Sequence, residues 1–290
     1  MRFETWEAWV TAVDGTAPEA AIVPIGCPDP LPMGMASGLA EDPTDLGDAQ
    51  QTALILAMSR CLLDPRASSF PTWDVWVTAM QLGSAVFAAA TTTEDIVRCR
   101  IAHEERTLKA TGAQWYVTPG AWINAFYLAV VCREKERITA LCQVPLSLLR
   151  ENDARFEEHH YAWIETLQTY WLGGQDLVQK LVTAVDATGP QVVADPETVN
   201  RLLYPPMEMF HRFVRGGDRE DFNLALTQAL QWHKEYWSEE SRAAQTSGFV
   251  ALAPLAVACI AHDAGIPIEV ESEYLPLALP GRNWCGEFPT

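Results

Sequence analysis

Two Glu-x-x-His steps are the residues of this chain best suited to chemistry. They run from Glu157 to His160 and from Glu208 to His211. On a helix, side chains three residues apart lie on the same face, so each step presents a carboxylate beside an imidazole. Two such steps, with two further glutamates, can hold a pair of metal ions inside a helical bundle. The spacing therefore raises one hypothesis, an all-α metalloenzyme.

The same residues also fit a purely structural interpretation. His160 falls on an apolar helical face with Trp163 and Leu167, where a histidine is more often a core residue than a metal ligand. In this interpretation the glutamate of each step lies at the surface. We prefer this interpretation to the metal site. His233 lies on the apolar stripe of its own helix and receives the same interpretation.

Motifs for other kinds of catalysis are missing from the sequence. It contains neither of the glycine-rich phosphate loops, G-x-x-x-x-G-K and G-x-G-x-x-G. The nucleophile elbow G-x-S-x-G is missing too, because the nearest match, residues 34–38, has its serine one place late. No cysteine is marked as activated. The sequence therefore predicts a protein that is not an enzyme and that uses no cofactor.

The chain is strongly acidic, with a formal net charge of −18 and a pI near 4.6. Nucleic acids and anionic membranes are polyanions, so neither is expected as a partner. The charge suits a basic protein partner, because complementary fields speed encounter. Plain solubility is the simpler interpretation of the same charge.

An acidic row alternates with apolar residues in the tail of the chain. Its members are Glu269, Glu271 and Glu273, and the alternation predicts an extended segment with one acidic face. That face is either solvated or a docking strip for basic side chains. We take the row as the candidate partner-binding site, together with Tyr274 at its end and His103, which we expect to be exposed where a hairpin turns.

The seven cysteines indicate a reducing compartment. They are odd in number, form no C-x-x-C pair and lie mostly within apolar runs, so we interpret them as reduced core residues. The N-terminus lacks the basic start and long apolar stretch of a signal peptide. The longest apolar run, residues 248–261, is too short to span a bilayer and contains Pro254. We therefore expect a cytoplasmic protein.

The stretch from Phe70 to Ala90 is apolar on most faces, which predicts a buried helix. Thr72 is the predicted cap of this helix. Gly83 belongs to a group of small residues that would let neighbouring helices approach closely. Residues 121–133 have the same apolar character, so we expect them to pack directly against the first stretch.

The remaining elements also follow from local patterns. Alternation near Cys99 predicts a small β-hairpin across residues 96–110, with a fraying helix as the alternative. Pro205 and Pro206 must break or restart a helix. A last helix is predicted across residues 239–264, with a kink or restart at Pro254. The predicted fold is mainly α, a single large domain of nine or ten helices in antiparallel pairs.

A proline- and glycine-rich extension, residues 1–43, precedes the predicted domain, residues 44–290. Within the extension, Phe3–Ala12 repeats the start of the buried helix, residues 70–79, at seven positions. We predict a short helix there and interpret the repeat as a remnant of tandem duplication.

Several segments, in a fixed order, resemble the immunity 49 family of bacterial polymorphic-toxin immunity proteins. The likeness extends from about Thr44 to the C-terminus, and its specificity lies in the number and order of core-like segments. It implies a largely helical cytoplasmic protein that binds the catalytic domain of a toxin and blocks it, with no catalytic residues to carry over. The segments are Thr72–Ala90, Arg100–His103, Asn124–Arg133, Leu202–Pro206, Leu224–Trp237, Ala251–Pro276 and Gly286–Thr290.

Three functional hypotheses follow. The first, implied by the resemblance, is an immunity protein that neutralises its cognate toxin by stoichiometric inhibition; the absence of catalytic motifs suits an inhibitor, and the acidic charge suits a basic toxin domain such as a nuclease. The second is the metalloenzyme, whose Glu-x-x-His steps would form a ferritin-like carboxylate site. The third is a helical binder of small molecules that uses an aromatic-rich interior.

Overall fold

A computed structural model describes residues 43–151 and 156–286 of the chain. The repeated segment Phe3–Ala12 lies outside these residues. The described part contains ten α-helices of five or more residues and one two-stranded antiparallel sheet, which confirms a mainly α fold with a small hairpin. The elements are α1 (Pro43–Leu63), α2 (Phe70–Thr91), β1 (Ile96–Ile101), β2 (Glu104–Lys109), α3 (Pro119–Cys132), α4 (Lys135–Cys142), α5 (Leu146–Arg150), α6 (Glu158–Trp171), α7 (Leu177–Asp186), α8 (Tyr204–Val214), α9 (Arg219–Trp237) and α10 (Leu252–Asp263).

Helix α2 lies at the centre of the core, as predicted, and contacts α1, α3, α4 and β1. Seventeen of its 22 residues are buried. The helix begins at Phe70 rather than after Thr72, because Pro71 fits the first turn, where a backbone N–H has no helical partner. The hydroxyl of Thr72 instead lies 3.0 Å from that of Ser69 at the cap position.

The crossing of α2 and α3 depends on a glycine. A Cβ atom added at Gly83 would lie 3.1 Å from the Cβ atom of Ala125. Glycine at this position therefore lets the two apolar helices approach closely, and the predicted direct contact between them is confirmed.

The β-hairpin is present, and the alternative of a fraying helix is wrong. Ile101 pairs with Glu104, so the turn consists of Ala102 and His103 alone. Both have positive φ angles, 50° and 65°, as a two-residue turn that follows the strand twist requires. The ring of His103 pairs with the carboxylate of Asp74 on α2, which fixes the tip of the hairpin to the central helix.

Two predicted helix boundaries need correction. The helix expected across residues 239–264 is shorter: α10 begins at Leu252 and follows a stretch of turns with one 3₁₀ turn, Thr246–Gly248. Pro254 thus lies in the first turn of α10, where its missing N–H removes no bond. At the other proline site, the π-helical turn Val199–Leu203 leads directly into α8, so the helix restarts without a break in the chain path.

One described segment, Thr246–Asp263, is long and apolar enough to cross a membrane by length and composition. Just over half of it, 56%, is buried inside the protein, and its helical part, α10, packs against α3.

Five of the six described cysteines are buried, and burial raises the pKa of Cys61, Cys142 and Cys259 to about 12. These thiols are protonated core groups, as predicted.

Candidate functional site

A cavity of about 850 Å³ opens between helices that are distant in sequence. Its size falls in the range of small-molecule binding sites, roughly 300–1,000 Å³. The walls come from six helices, α1, α3, α6, α8, α9 and α10, together with the loop before α3, the π-helical turn before α8 and the segment before α10. Its aromatic lining residues are Trp115, Tyr116, Tyr127, Trp163 and Trp237, with the histidines His159, His160 and His233.

The start of α6 supplies two of these histidines. Helix α6 begins at Glu158, so His159 and His160 lie in its first turn, with their ring centroids 4.1 Å apart. His159 is only 1% exposed, and neither of its ring nitrogens has a hydrogen-bond partner within the described part of the chain. Its Nδ1 lies 3.4 Å from a carboxylate oxygen of Glu157, outside hydrogen-bonding geometry. Burial lowers the pKa of His159, and burial together with the neighbouring His159 lowers that of His160 to about 4.

Helix α9 supplies the third histidine. The Nε2 atom of His233 lies 2.9 Å from the carbonyl oxygen of Gly248, so this nitrogen carries the proton and donates it. Burial lowers the pKa of His233 to about 4. The depressed pKa values leave all three imidazoles uncharged at neutral pH.

Other polar groups in the cavity wall also lack partners. The indole Nε1 of Trp237 is buried, and no described residue forms a hydrogen bond with it. Gln50, on α1, is 9% exposed, and its amide takes part in no hydrogen bond among the described residues. An unsatisfied buried group costs about 1–3 kcal/mol. In contrast, Tyr127 accepts a hydrogen bond from Trp163 at 2.7 Å, and Arg201 is paired with Glu235.

The two Glu-x-x-His steps have different surroundings. His160 lines the cavity, but Glu157 accepts a hydrogen bond from the backbone N–H of Ala194. Glu208 accepts one at 2.6 Å from the Nε of Arg212. His211 is about half exposed. Neither Glu208 nor His211 lines the cavity, and no group of three His, Cys, Asp or Glu residues within 43–151 and 156–286 could hold a metal.

The acidic row lies along α9, outside the cavity. Glu269 pairs with Arg219 and Glu273 pairs with Lys234, each at 3.0 Å between nitrogen and oxygen. Glu271 is exposed, and the described residues include no ion pair to it. The apolar residues between them pack inward, which agrees with the predicted extended segment. Tyr274 contacts the ring of His233, with 5.2 Å between centroids, so it connects the row to the cavity wall.

His103 contacts α2 through Asp74 and Gln81, whereas the acidic row lies against α9. The predicted partner-binding residues thus belong to two different parts of the fold. The unpartnered His159, Gln50 and Trp237 were missed. Their only sequence signal was the adjacent pair of histidines at 159 and 160, because an isolated glutamine or tryptophan carries no positional information.

A pH-dependent loss of stability is expected from the buried histidines. In the unfolded chain His233 binds a proton near pH 6.5, but in the folded chain only near pH 4. The unfolded state therefore binds more protons between these values, and the free energy of unfolding falls as the pH drops. For His233 alone we expect a loss of about 2 kcal/mol between pH 7.5 and pH 5. Urea unfolding at the two pH values measures it.

The matched control is His233→Gln, which keeps a donor for the carbonyl of Gly248 but does not titrate. Between pH 7.5 and pH 5, the free energy of unfolding of the variant should fall by about 2 kcal/mol less than that of the unchanged protein. Parallel pH profiles for the two proteins would contradict a depressed pKa at His233.

Comparison with known proteins identifies one family. The family model described as Immunity protein 49 matches residues 64–279, more than half of the chain. The match is narrower than the likeness from Thr44 to the C-terminus and begins after α1. No curated protein and no solved structure matches the chain.

Proposed function

The chain belongs to the Immunity protein 49 family, and we propose that it neutralises a cognate bacterial toxin by binding it stoichiometrically, without catalysis, in the cytoplasm. The observation that carries the proposal is the family match, which includes the core helix α2, the hairpin and most of the tail. Neutralisation by binding needs a surface with affinity for the toxin and no reacting groups of its own.

The mouth of the cavity supports a binding role. Trp115 is 57% exposed and Ile55 is 42% exposed, and both line the cavity. Large exposed apolar side chains next to a concave surface are typical of the central part of a protein interface, where tryptophan is enriched among the residues that dominate affinity. We take this face as the apolar part of the contact with the toxin.

The acidic surface supports a basic toxin domain. The net charge is −18, and Glu271 in the acidic row has no ion pair within the described part of the chain. Such a charge attracts a basic domain before contact and raises the rate of association. Glu269 and Glu273 would have to share their present partners, Arg219 and Lys234, so Glu271 is the row member best placed to meet a new basic side chain.

Co-expression tests the proposal. A toxin domain encoded beside this gene should stop growth when produced alone and should lose its toxicity when this chain is produced with it. The two purified proteins should elute together as a complex with fixed stoichiometry. Unrelieved toxicity and no complex, for every toxin domain of the locus, would overturn the proposed function.

A dependence on salt is expected of the complex. The association rate should fall by tenfold or more as the ionic strength is raised from about 0.01 M to about 0.5 M, because the Debye length shrinks from about 30 Å to a few ångströms. Stopped-flow mixing measures this rate. The dissociation rate should change little, since it reflects short-range contacts.

A pair of charge reversals locates the effect. Glu271→Lys should slow association more than Glu94→Lys, which makes the same charge change on the connection between α2 and β1. Equal slowing by both variants would show that only the total charge matters. An association rate independent of salt would contradict a basic partner but leave neutralisation by binding intact.

A further inference from the structure

We propose that the cavity between α1, α3, α6 and α9 is a binding site for an uncharged ligand that has a flat ring and an amide-like group. The ligand would stack its ring on the aromatic wall and would exchange hydrogen bonds with the unpartnered polar groups. This inference does not depend on neutralisation of a toxin, because it rests only on the cavity.

The shape and wall of the cavity favour a ring. A volume of about 850 Å³ is more than a bound water cluster needs and suits a molecule of drug-like size. Tyr127, Trp163 and Trp237 all contribute to the wall. Aromatic side chains prefer offset or edge-to-face contact with other rings, so a flat ligand gains contact that an aliphatic chain of the same size does not.

The unpartnered groups favour an amide. His159 is 1% exposed and neither ring nitrogen forms a hydrogen bond with a described residue, so it can both donate and accept. The amide of Gln50, which also lines the cavity, has no hydrogen bond among the described residues and offers a donor and an acceptor. The buried Nε1 of Trp237 offers a donor. Buried polar groups in folded proteins are normally hydrogen-bonded. Two such groups, with the amide of Gln50 in the same cavity, indicate a ligand that itself carries both a donor and an acceptor.

The electrostatics of the cavity exclude a charged ligand. All three histidines are uncharged at neutral pH because burial depresses their pKa values. Among the described residues of the wall the one arginine, Arg201, is already paired with Glu235. An anion or a cation would therefore lose its hydration without gaining an opposite charge, which is costly.

Three probes with the same indole ring test this chemistry. Indole-3-acetamide is neutral, indole-3-acetate replaces the amide by a carboxylate, and tryptamine carries an ammonium group. Binding to the full chain is measured by calorimetry and by ligand-observed NMR. Indole-3-acetamide should bind with a Kd of about 1 mM or tighter, the affinity expected for its size, and at least about tenfold more tightly than either charged probe. Equal binding of all three, or none, would overturn the proposal.

Two cavity variants and one control variant outside the cavity test where the ligand binds. His159→Phe keeps a ring of similar size but removes both nitrogens, and should weaken binding of the amide about fivefold or more. His211→Phe makes the same change outside the cavity, on an exposed part of α8, and should leave binding unchanged. Ala253→Phe, on the cavity wall, should abolish binding by filling space. Urea unfolding checks that each variant folds, and unchanged affinity in both cavity variants would refute the site.

The same chemistry can come from a free small molecule or from a side chain of the toxin. Adding saturating indole-3-acetamide to the toxin complex separates the two sources. Release of the toxin would show that one of its side chains occupies the cavity. An unchanged complex would assign the cavity to a free molecule, which native mass spectrometry of protein purified from cells would then detect as added mass.

Discussion

Replacing Arg133 with alanine is expected to lower the free energy of unfolding by about 3 kcal/mol. Arg133 ends α3, and its side chain is only 7% exposed. All five of its N–H groups are used. They donate to both carboxylate oxygens of Asp263, at 3.1 and 3.3 Å, and to the carbonyl oxygens of Val131, Leu279 and Pro280, at 2.8–2.9 Å.

The expected size of the effect follows from what the truncation leaves behind. The variant would strand a carboxylate on α10 and two tail carbonyls, and bonds to charged donors contribute about 1.5–3 kcal/mol each. Some of this is recovered, because Asp263 is about one-third exposed and can be hydrated. Urea unfolding measures the loss. Hydrogen exchange should also speed up in the tail around Leu279, since Arg133 holds that segment to α3 and α10.

Arg282→Ala is the matched control. Arg282 also approaches Asp263, at 3.9 Å, but it is 53% exposed. It shares the left-handed backbone of Arg133, with a φ of 59° against 61°, so alanine causes the same backbone change at both positions. We expect a loss below about 1 kcal/mol, as for surface ion pairs. Equal losses in the two variants would show that the buried hydrogen bonds of Arg133 contribute little.

Gly83→Leu is expected to destabilise the protein by about 3 kcal/mol or more. At the crossing of α2 and α3 an added Cβ atom would lie 3.1 Å from the Cβ atom and 3.3 Å from the Cα atom of Ala125. The Cα atom belongs to the backbone of α3 and cannot turn away. A leucine side chain would therefore force the two central helices apart and open gaps in the core.

A graded series tests the explanation. Gly83→Ala requires a shift of only a few tenths of an ångström and should cost less than about 1 kcal/mol, because the higher helix propensity of alanine offsets part of the strain. Gly120→Ala, in the first turn of α3, has no atom closer than 3.9 Å and should be neutral or slightly stabilising. Calorimetric unfolding of the three variants measures the order. Tolerance of leucine at position 83 would contradict the close crossing.

Patterns confined to one element predicted that element well. The burial of α2 follows from apolar residues on most of its faces, and the hairpin follows from alternation around Cys99. In each case the sequence pattern repeats with the same short period as the helix or strand, so the prediction did not depend on residues distant in sequence. The family resemblance also came from local segments. Its match, residues 64–279, covers the larger part of the chain.

Helix ends were less predictable where local preferences compete. The sequence left a kink or a restart open at Pro254. The structure has a restart, with α10 beginning at Leu252 after a segment that packs against the end of α9. Part of that packing is Gly248, where an added Cβ atom would lie 2.8 Å from the indole of Trp237. This contact joins residues of two different elements, so the pattern of neither element predicts it.

The sequence by itself determined the mainly α fold, the central helix, the acidic net charge and the family, because each depends on composition or on spacing within one element. Only the tertiary structure decided which polar groups meet. Glu208 and His211 had the right spacing for metal ligands, yet Arg212 binds the carboxylate. The cavity combines residues from Gly47 to Pro254 on six separate α-helices and the segments between them. Helix packing brings these residues together. That packing follows from the burial of whole apolar helix faces, and the residues that line the cavity add no periodic signal of their own.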